Sequence, residues 1–504
     1  MLLKPGTTCW RREKAQRAAL LIDMADYFAA AKAAMAKAKH SIHFLNWAFD
    51  PTTYFHPEAG GAGPEDDQIG PFLRDLACAN PQLDVRVLCW RSALPIAATQ
   101  NFFPHRARKC FHGTPVDFRL DDHVPMGACH HQKVVVIDDK VAFCGGGDIG
   151  ADRWDTIKHL DNDRRRWRAH GKCFESRHEV MSLVDGPAAR ALGDLFRRRW
   201  RRATGEELFP PGVGEETADD PWPDCVEPDF RNVMTGLSRT EPKWRDYREV
   251  REVETLHLAA IAGAKQCIYL ENQYFTSPLI AEALASRLSE PDGPEVVIVS
   301  TQHSPSWFDQ ITMDRTRSLF IQRLMTADAH KRFKAFSPVT AKGRTIIVHA
   351  KLAIIDDQLL RVGSANLNNR SSGFDTECDL SIEVGAAEAR AQVRRLRTRL
   401  IAHWLGRDDA EVDKSLAEAG SLGAAIVALQ RGGKHRLRAI KPEPLSAFAA
   451  FIATFHMGDP AGPGDSWRPW GRRSASERRL RNRAEELARV GLESAVEELS
   501  PETV

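Results

Sequence analysis

The chain has 504 residues, 43% hydrophobic and 27% charged, with 70 Lys and Arg against 68 Asp and Glu. That length exceeds one ordinary core and predicts two or three domains. A net charge of +2 excludes a molecule that binds polyanions over its whole surface, so any basic patch has to be local.

No stretch approaches the roughly 20 apolar residues that span a bilayer. The start, MLLKPGTTCWRREKAQR, lacks the apolar core and cleavage site of a signal peptide, so none is expected. The 10 cysteines stand singly, without a C-x-x-C pair, which predicts reduced thiols rather than disulfides or zinc. Cys89 and Cys144 sit in apolar runs and read as core.

In chain order, residues 11 to 39 are rich in Ala, Lys and Arg with apolar residues at helical spacing, predicting one long amphipathic helix. The strand SIHFLNW follows, then a polar loop rich in Gly and Pro to about residue 69, the helix GPFLRDLACAN and the strand LDVRVLCW. Next comes HHQKVVVIDDKVAFCGGGD, residues 130 to 148. A polar loop, GADRWDTIKHL, leads to the strand HEVMSLV and a helix through DLFRRRW. Residues 204 to 245 turn acidic and rich in Pro and Gly, which marks a boundary.

The order then repeats. A helix at about 248 to 263 precedes QCIYLENQYF, IAEALASRLSE and PEVVIVST, and a helical insert leads to VHAKLAIIDDQLLRVGSANLNN. After that come ECDLSIEV and a long helix ending in AHWLG. IHFLNW matches IYLENQ, DVRVLCW matches EVVIVST, and HEVMSLV matches TECDLSI, in the same order, which predicts an internal duplication. The expected fold class is α/β, two tandem α/β sandwich repeats with a largely buried sheet forming one pseudo-twofold unit. The expected division is 1–203, a linker 204–245, 246–406, and a helical, partly basic C-terminal extension 407–504. Helices are expected in the extension at about 408 to 430 and in SAFAAFIATF. Its tail carries Trp467 and Trp470 among arginines, either a solvated helix on the domain edge or a patch facing anionic lipid.

Both repeats hold H-x-K-x4-D: His131, Lys133 and Asp138, then His349, Lys351 and Asp356. These six residues are the core of the candidate catalytic set. On a strand, residues i and i+2 share a face, so each His and Lys point the same way. The aspartates fall at opposite parity in turn-like DDK and DDQ, which predicts a structural task, charge pairing or turn capping beneath the site. Lysine supplies charge and donors for phosphate oxygens. Imidazole serves as nucleophile or general acid near neutral pH. Two such strands brought together would allow double displacement at one phosphorus: one histidine attacks, the other protonates the leaving alkoxide and then activates water or another alcohol. Each imidazole needs an acceptor on its far nitrogen. Glu179 and Glu377, equivalently placed after each motif, are the candidates, with ordinary strand-end glutamates as the alternative. Gly145-Gly146 and Gly363-Ser364 would let backbone approach a phosphate. Asp148, Ser364 and Asn366 are the substrate-binding candidates, or they hold the turns.

These residues make the chain resemble the phospholipase D superfamily, the double H-x-K-x4-D phosphodiesterases, over about residues 15 to 406. The second copy, with Gly363-Ser364-x-Asn366 and Asn369-Arg370-Ser371, is close to the family pattern. The first departs from G-S-x-N by reading GGGD. That ending, the following RWDT, and IYLENQYF resemble phospholipases D proper. The resemblance implies one active site at the interface of the repeats, a covalent phosphohistidine, no metal and no cofactor, with His131 as nucleophile and His349 as acid unless the two are exchanged. It implies hydrolysis of glycerophospholipid headgroup esters to phosphatidate plus alcohol, with transphosphatidylation. A cardiolipin synthase-like phosphatidyltransferase, a nuclease and a non-catalytic lipid-binding scaffold are the rivals. The first usually carries N-terminal membrane-spanning helices, absent here. Near-zero net charge weighs against the nuclease. The runs RRRWR and RRRWRR are helix-surface solvation or headgroup docking sites. The partners expected are a phospholipid substrate and a membrane surface, with no nucleic acid, in a monomer. The location expected is the cytoplasm or the membrane periphery, with signal-independent secretion open.

Overall fold

The computed structural model describes residues 1–465 apart from 59–62, 93–102, 151, 169–171, 212–219, 305, 307–308, 431–435, 444–446, 448–450 and 453–454; beyond 465 it describes only 478 and 482. Trp467 and Trp470, and most of SAFAAFIATF, lie outside the described residues.

One sheet of 16 strands runs through the molecule. At its centre Arg11–Ile22 pairs antiparallel with Phe230–Glu241, in register Ala15 opposite Val233. Outward from Arg11–Ile22 the order is Val180–Asp185, Val141–Gly145, Val134–Ile137, Ser41–Asn46, Asp84–Trp90, Asp117–Asp121. Outward from Phe230–Glu241 it is Glu377–Glu383, Leu359–Gly363, Leu352–Ile355, Cys267–Glu271, Glu295–Val299, Phe333–Pro338, then Leu437–Ala439. The two wings share one order and one set of directions, with three parallel strands outermost and the rest antiparallel, except that the second wing carries the antiparallel Leu437–Ala439 beyond its parallel strands. Two wings of like strand order joined centre to centre make up an α/β fold.

Alternation on the motif strands shows why they are buried on both faces. Val134 and Val136 enter a central core together with Leu352 and Ile354. Val135 and Ile137 enter a second core, Ala353 and Ile355 a third. The helices Pro187–Thr204 and Ala387–Leu405 cover the shared face through Leu192, Phe196 and Trp200, and through Leu396, Leu400 and Trp404. Met24–Ala36 and Ile69–Ala79 cover the other face of the first wing; Glu252–Gly263, Pro278–Ser289 and Arg315–Ala327 cover that of the second. Strands enclosed this way read as continuous β-branched runs.

Three expectations are corrected. Residues 11 to 39 are not one helix: Arg11–Ile22 is a strand, and the helix starts at Met24. Pairing on both edges overrides the helical preference of its Ala, Lys and Arg. The stretch 204 to 245 is more than connector, since Phe230–Glu241 is a 12-residue strand at the sheet centre. The extension is not purely helical: beside Asp409–Ala419 and Leu422–Leu429, it adds Leu437–Ala439 to the sheet edge.

Candidate active site

Each motif histidine is placed by backbone of the opposite wing. His131 lies just ahead of its strand, and its N–H donates to Thr376 O at 2.9 Å. His349 does the same at His178 O, 2.8 Å. Because Thr376 precedes Glu377 and His178 precedes Glu179, each pairing brings a carboxylate to the histidine beside it. Glu377 Oε2 is 3.0 Å from His131 Nδ1, and Glu179 Oε2 is hydrogen-bonded to His349 Nδ1. The pairs cross between the wings, and both glutamates are fully buried. With Nδ1 engaged, each ring keeps Nε2 for the cavity.

That cavity is about 420 Å³ and is lined by His131, Lys133, Asp148, His349 and Asn366 among the sequence candidates. Lys133 Nζ donates to His131 O at 2.7 Å, and Lys351 Nζ to His349 O. Lys351 is fully buried and stands one layer behind the wall. Burial pulls its pKa down to about 7, with the charge of Lys133 adding to the effect and Glu179 opposing it. Both histidines are held well below the ordinary imidazole value, first by burial and then by the lysines. Burial pushes Glu377 up to about 8, against Lys133 and the hydroxyls of Ser364 and Ser371.

Three groups of candidates lie elsewhere than the motif suggests. Asp138 and Asp356, counted with the catalytic set, do not reach the cavity. The Asp138 carboxylate accepts the N–H groups of Lys39, His40 and Ser41 at 2.7 to 2.8 Å. Asp356 does the same for Lys265, Gln266 and Cys267 at 2.6 to 2.8 Å. Opposite parity and a positive φ of 53° and 54° turn both to the far end of their strands. Ser364 is fully buried and donates to Glu377 Oε2, so it holds the carboxylate rather than a substrate. Gly146 packs on Glu179, where a Cβ would come within 2.4 Å of Oε1; this small residue makes room for the carboxylate rather than for a phosphate. Asp148 does line the wall, accepting the N–H of Trp47 at 2.9 Å with its other oxygen 3.8 Å from Lys133 Nζ. Asn366 Oδ1 is buried without a hydrogen-bond partner.

Further wall residues escaped the sequence reading. Trp47 and Trp90 stack at 5.9 Å, and Trp47 meets the His131 ring edge-on at 6.5 Å. Arg153 and Arg177 stand on the His349 side; burial and its neighbour Arg153 bring Arg177 down to about 10. Arg177 and Asp375 hold equivalent places two residues before each glutamate, with opposite charge, a signal readable once HEVMSLV and TECDLSI are matched. Gly458, from the extension, also lines the cavity, and Asp459 beside it accepts the N–H groups of Asn369 and Arg370 at 3.1 and 2.9 Å.

A family model described as "Cardiolipin synthase, PLD-like domain" matches residues 257–400, the segment with His349, Lys351 and Glu377. The chain is 24% identical over 447 residues to phospholipase D A of Dictyostelium discoideum, covering 76% of this chain and 33% of that protein. It is 25% identical over 248 residues to a cardiolipin synthase of Geobacillus kaustophilus, covering 49% of this chain and 41% of that protein. The chain thus spans about a third or less of the first curated relatives it matches. Among solved structures, the phosphatidylserine synthase of Haemophilus influenzae Rd KW20 matches with a TM-score of 0.54 at 14% identity, over 83% of this chain and 96% of that one. At that identity the likeness is one of fold.

Proposed function

We propose that this chain, which belongs to the phospholipase D superfamily, cleaves the headgroup ester of a glycerophospholipid to phosphatidate and an alcohol, and transfers the phosphatidyl group when another alcohol is present. The observation that carries the reading is the pair of crossed His–Glu contacts opening into one cavity with a lysine beside each.

His131 Nε2 attacks phosphorus while Glu377 holds its Nδ1 side. The P–O bond to the headgroup breaks, and the leaving oxygen takes a proton from His349 Nε2, whose far nitrogen faces Glu179. The phosphohistidine is then attacked by water or an alcohol, which gives its proton to His349; the N–P bond breaks and both rings return to their starting state. Lys133 and Lys351 supply charge to the phosphoryl oxygens. Entry of an anionic diester restores the charge on Lys351. The indoles of Trp47 and Trp90 give the wall an apolar strip. Met126, 73% exposed beside the cavity residue Gly127, supports a rim that meets a lipid surface. Among the described residues no helix is long and apolar enough to cross a membrane.

A specific observation favours exchanged roles. Arg153 and Arg177 disfavour a proton on His349, whereas Asp148 and Asp375 favour one on His131. On that reading His349 attacks and His131 is the acid. Trapping decides: the acid-labile phosphoenzyme survives in the variant lacking the acid and vanishes in the variant lacking the nucleophile.

The test gives purified protein vesicles of phosphatidylcholine, phosphatidylethanolamine and phosphatidylglycerol with ethanol. Phosphatidate and phosphatidylethanol are expected, and His131→Ala abolishes both while the fold is kept. Neither product from any vesicle overturns the proposal. Cardiolipin from phosphatidylglycerol alone identifies the transferase instead; cleavage of DNA without lipid turnover identifies the nuclease; lipid binding untouched by His131→Ala, without turnover, identifies the scaffold.

A further inference from the structure

Behind Glu179, on the side away from the cavity, four residues from distant places meet. Asp23 lies where the strand Arg11–Ile22 turns into the helix Met24–Ala36; His159 is in the loop after the first motif; His178 adjoins Glu179; His403 comes from the helix Ala387–Leu405. One ligand atom of each lies within 4.8 Å of the other three. The side chains are at most 4% exposed.

The distances have a particular size. His159 Nε2 is 3.3 Å from His403 Nε2 and 3.4 Å from Asp23 Oδ2. His403 Nε2 is 3.8 Å from Asp23 Oδ2, and His178 Nδ1 is 2.9 Å from Asp23 Oδ1. Donors about 2.0–2.1 Å from a tetrahedral zinc are roughly 3.3–3.4 Å apart. Two edges have that length already; on loading the 3.8 Å edge to His403 has to shorten and the 2.9 Å edge between His178 and Asp23 has to lengthen.

The outer partners give the lone pairs a direction. Asp155 Oδ2 is 3.0 Å from His159 Nδ1, and Glu271 Oε2 is 2.8 Å from His178 Nε2. A proton held on each far nitrogen leaves the inward nitrogen bare, as carboxylates behind metal-bound imidazoles do. These carboxylates are themselves fixed, Asp155 by Arg166 at 3.0 Å and Glu271 by Trp404 at 2.8 Å. Asp23 Oδ2 and His403 Nδ1 are buried without hydrogen-bond partners.

We propose that Asp23, His159, His178 and His403 bind one zinc-class divalent ion. Three imidazoles and one carboxylate suit zinc over calcium or magnesium, and four protein ligands in a dry interior make a closed, structural site. The ion ties the first wing to the long helix of the second. It also pins the strip 177–179, which places Arg177 and Glu179 under His349: Asp23 N–H donates to Glu179 O at 2.8 Å, and Asp23 Oδ1 accepts Glu179 N–H at 3.2 Å. The ion does not touch phosphorus. Imidazole binds a metal only in its unprotonated form, so acid releases the metal.

The test uses tag-free full-length protein made in zinc-supplemented medium and needs no turnover, so it stands or falls apart from the proposed activity. Elemental analysis is expected to find about one zinc per chain, retained in His131→Ala and lost in His403→Gln. Refolding with cobalt should give the visible absorption of a tetrahedral site in the wild type. Should His403→Gln not fold, Asp155→Asn serves, with zinc affinity expected to fall roughly 10- to 100-fold. Wild-type protein with only traces of zinc and no cobalt spectrum overturns the proposal. So does zinc that leaves with His131→Ala and stays in His403→Gln.

Discussion

Glu377 Oε2 lies 3.0 Å from His131 Nδ1, although the two residues are 246 positions apart and belong to opposite wings of the sheet. Ser364 and Ser371 donate hydroxyls to the same carboxylate, which leaves it one orientation. Its amide counterpart would keep the shape and present the wrong donor to the ring. Glu377→Gln is therefore expected to lower kcat by on the order of 10³-fold above about pH 8, where Glu377 is ionised and accepts from the ring, with the protein still folded. Glu179→Gln should do the same through His349. Headgroup release from vesicles and a melting curve on each variant check both points, and near-normal rates in both would end the orienting role.

Titration of the same carboxyl separates its effect on stability from its effect on rate. Burial raises Glu377 from 4.5 to about 8, so between those values the folded chain keeps a proton that the unfolded chain has released. Stability from this group is greatest at low pH and declines as pH rises through that window. Glu377→Gln has no such decline. Urea unfolding from pH 5 to 8 should find the variant gaining on the wild type as pH rises; a constant difference contradicts it.

Lys351 gives the matching prediction for rate. Its pKa of about 7 belongs to the free enzyme, and a bound phosphate diester raises it again. The ratio kcat/KM reports the free enzyme and kcat the loaded one. The first should fall as pH rises through about 7, while kcat keeps its plateau further into alkali. A kcat/KM that stays level from pH 6 to 9 rules this out.

The motif pairs, the two like wings and the carboxylates after each motif were legible because each leaves a mark on neighbouring residues: a period of two in VVVI and LAII, a repeated order, a shared position in HEVMSLV and TECDLSI. Which glutamate meets which histidine was not legible, since it depends on His131 pairing with Thr376 across the molecule. Arg11–Ile22 misled for a related reason: its local composition favours a helix, and only partners more than 150 residues away make it a strand. Asp23, His159, His178 and His403 have no spacing to read, because four separate segments supply one each.

Asp138 tests whether the third motif residue serves the fold alone. It accepts three N–H groups at a left-handed φ of 53°, capping the entry to Ser41–Asn46. Asp138→Ala leaves those donors unpaired and should cost about 1–3 kcal/mol of stability. The kcat per folded molecule should stay near the wild-type value. Active-site titration alongside denaturant unfolding distinguishes this from a catalytic role, in which kcat would fall with the folded fraction unchanged.

Two neighbouring glycines should fail in opposite ways. A Cβ on Gly146 would come within 2.4 Å of Glu179 Oε1 and 3.0 Å of Lys351 Cδ, both side-chain atoms that can move. Gly146→Ala is thus expected to fold, push Glu179 off His349 and lower kcat by on the order of 10²-fold, the cost of about 1 Å of misplacement. A Cβ on Gly145 would instead meet Val180 O at 2.7 Å and Met181 Cα at 2.8 Å, backbone of the paired strand, which cannot yield without breaking the ladder. Gly145→Ala should lower the melting temperature first, with kcat per folded molecule following only as the sheet shifts. Equal effects of the two substitutions on stability, with turnover intact in Gly146→Ala, would mean that Glu179 does not need its place behind His349.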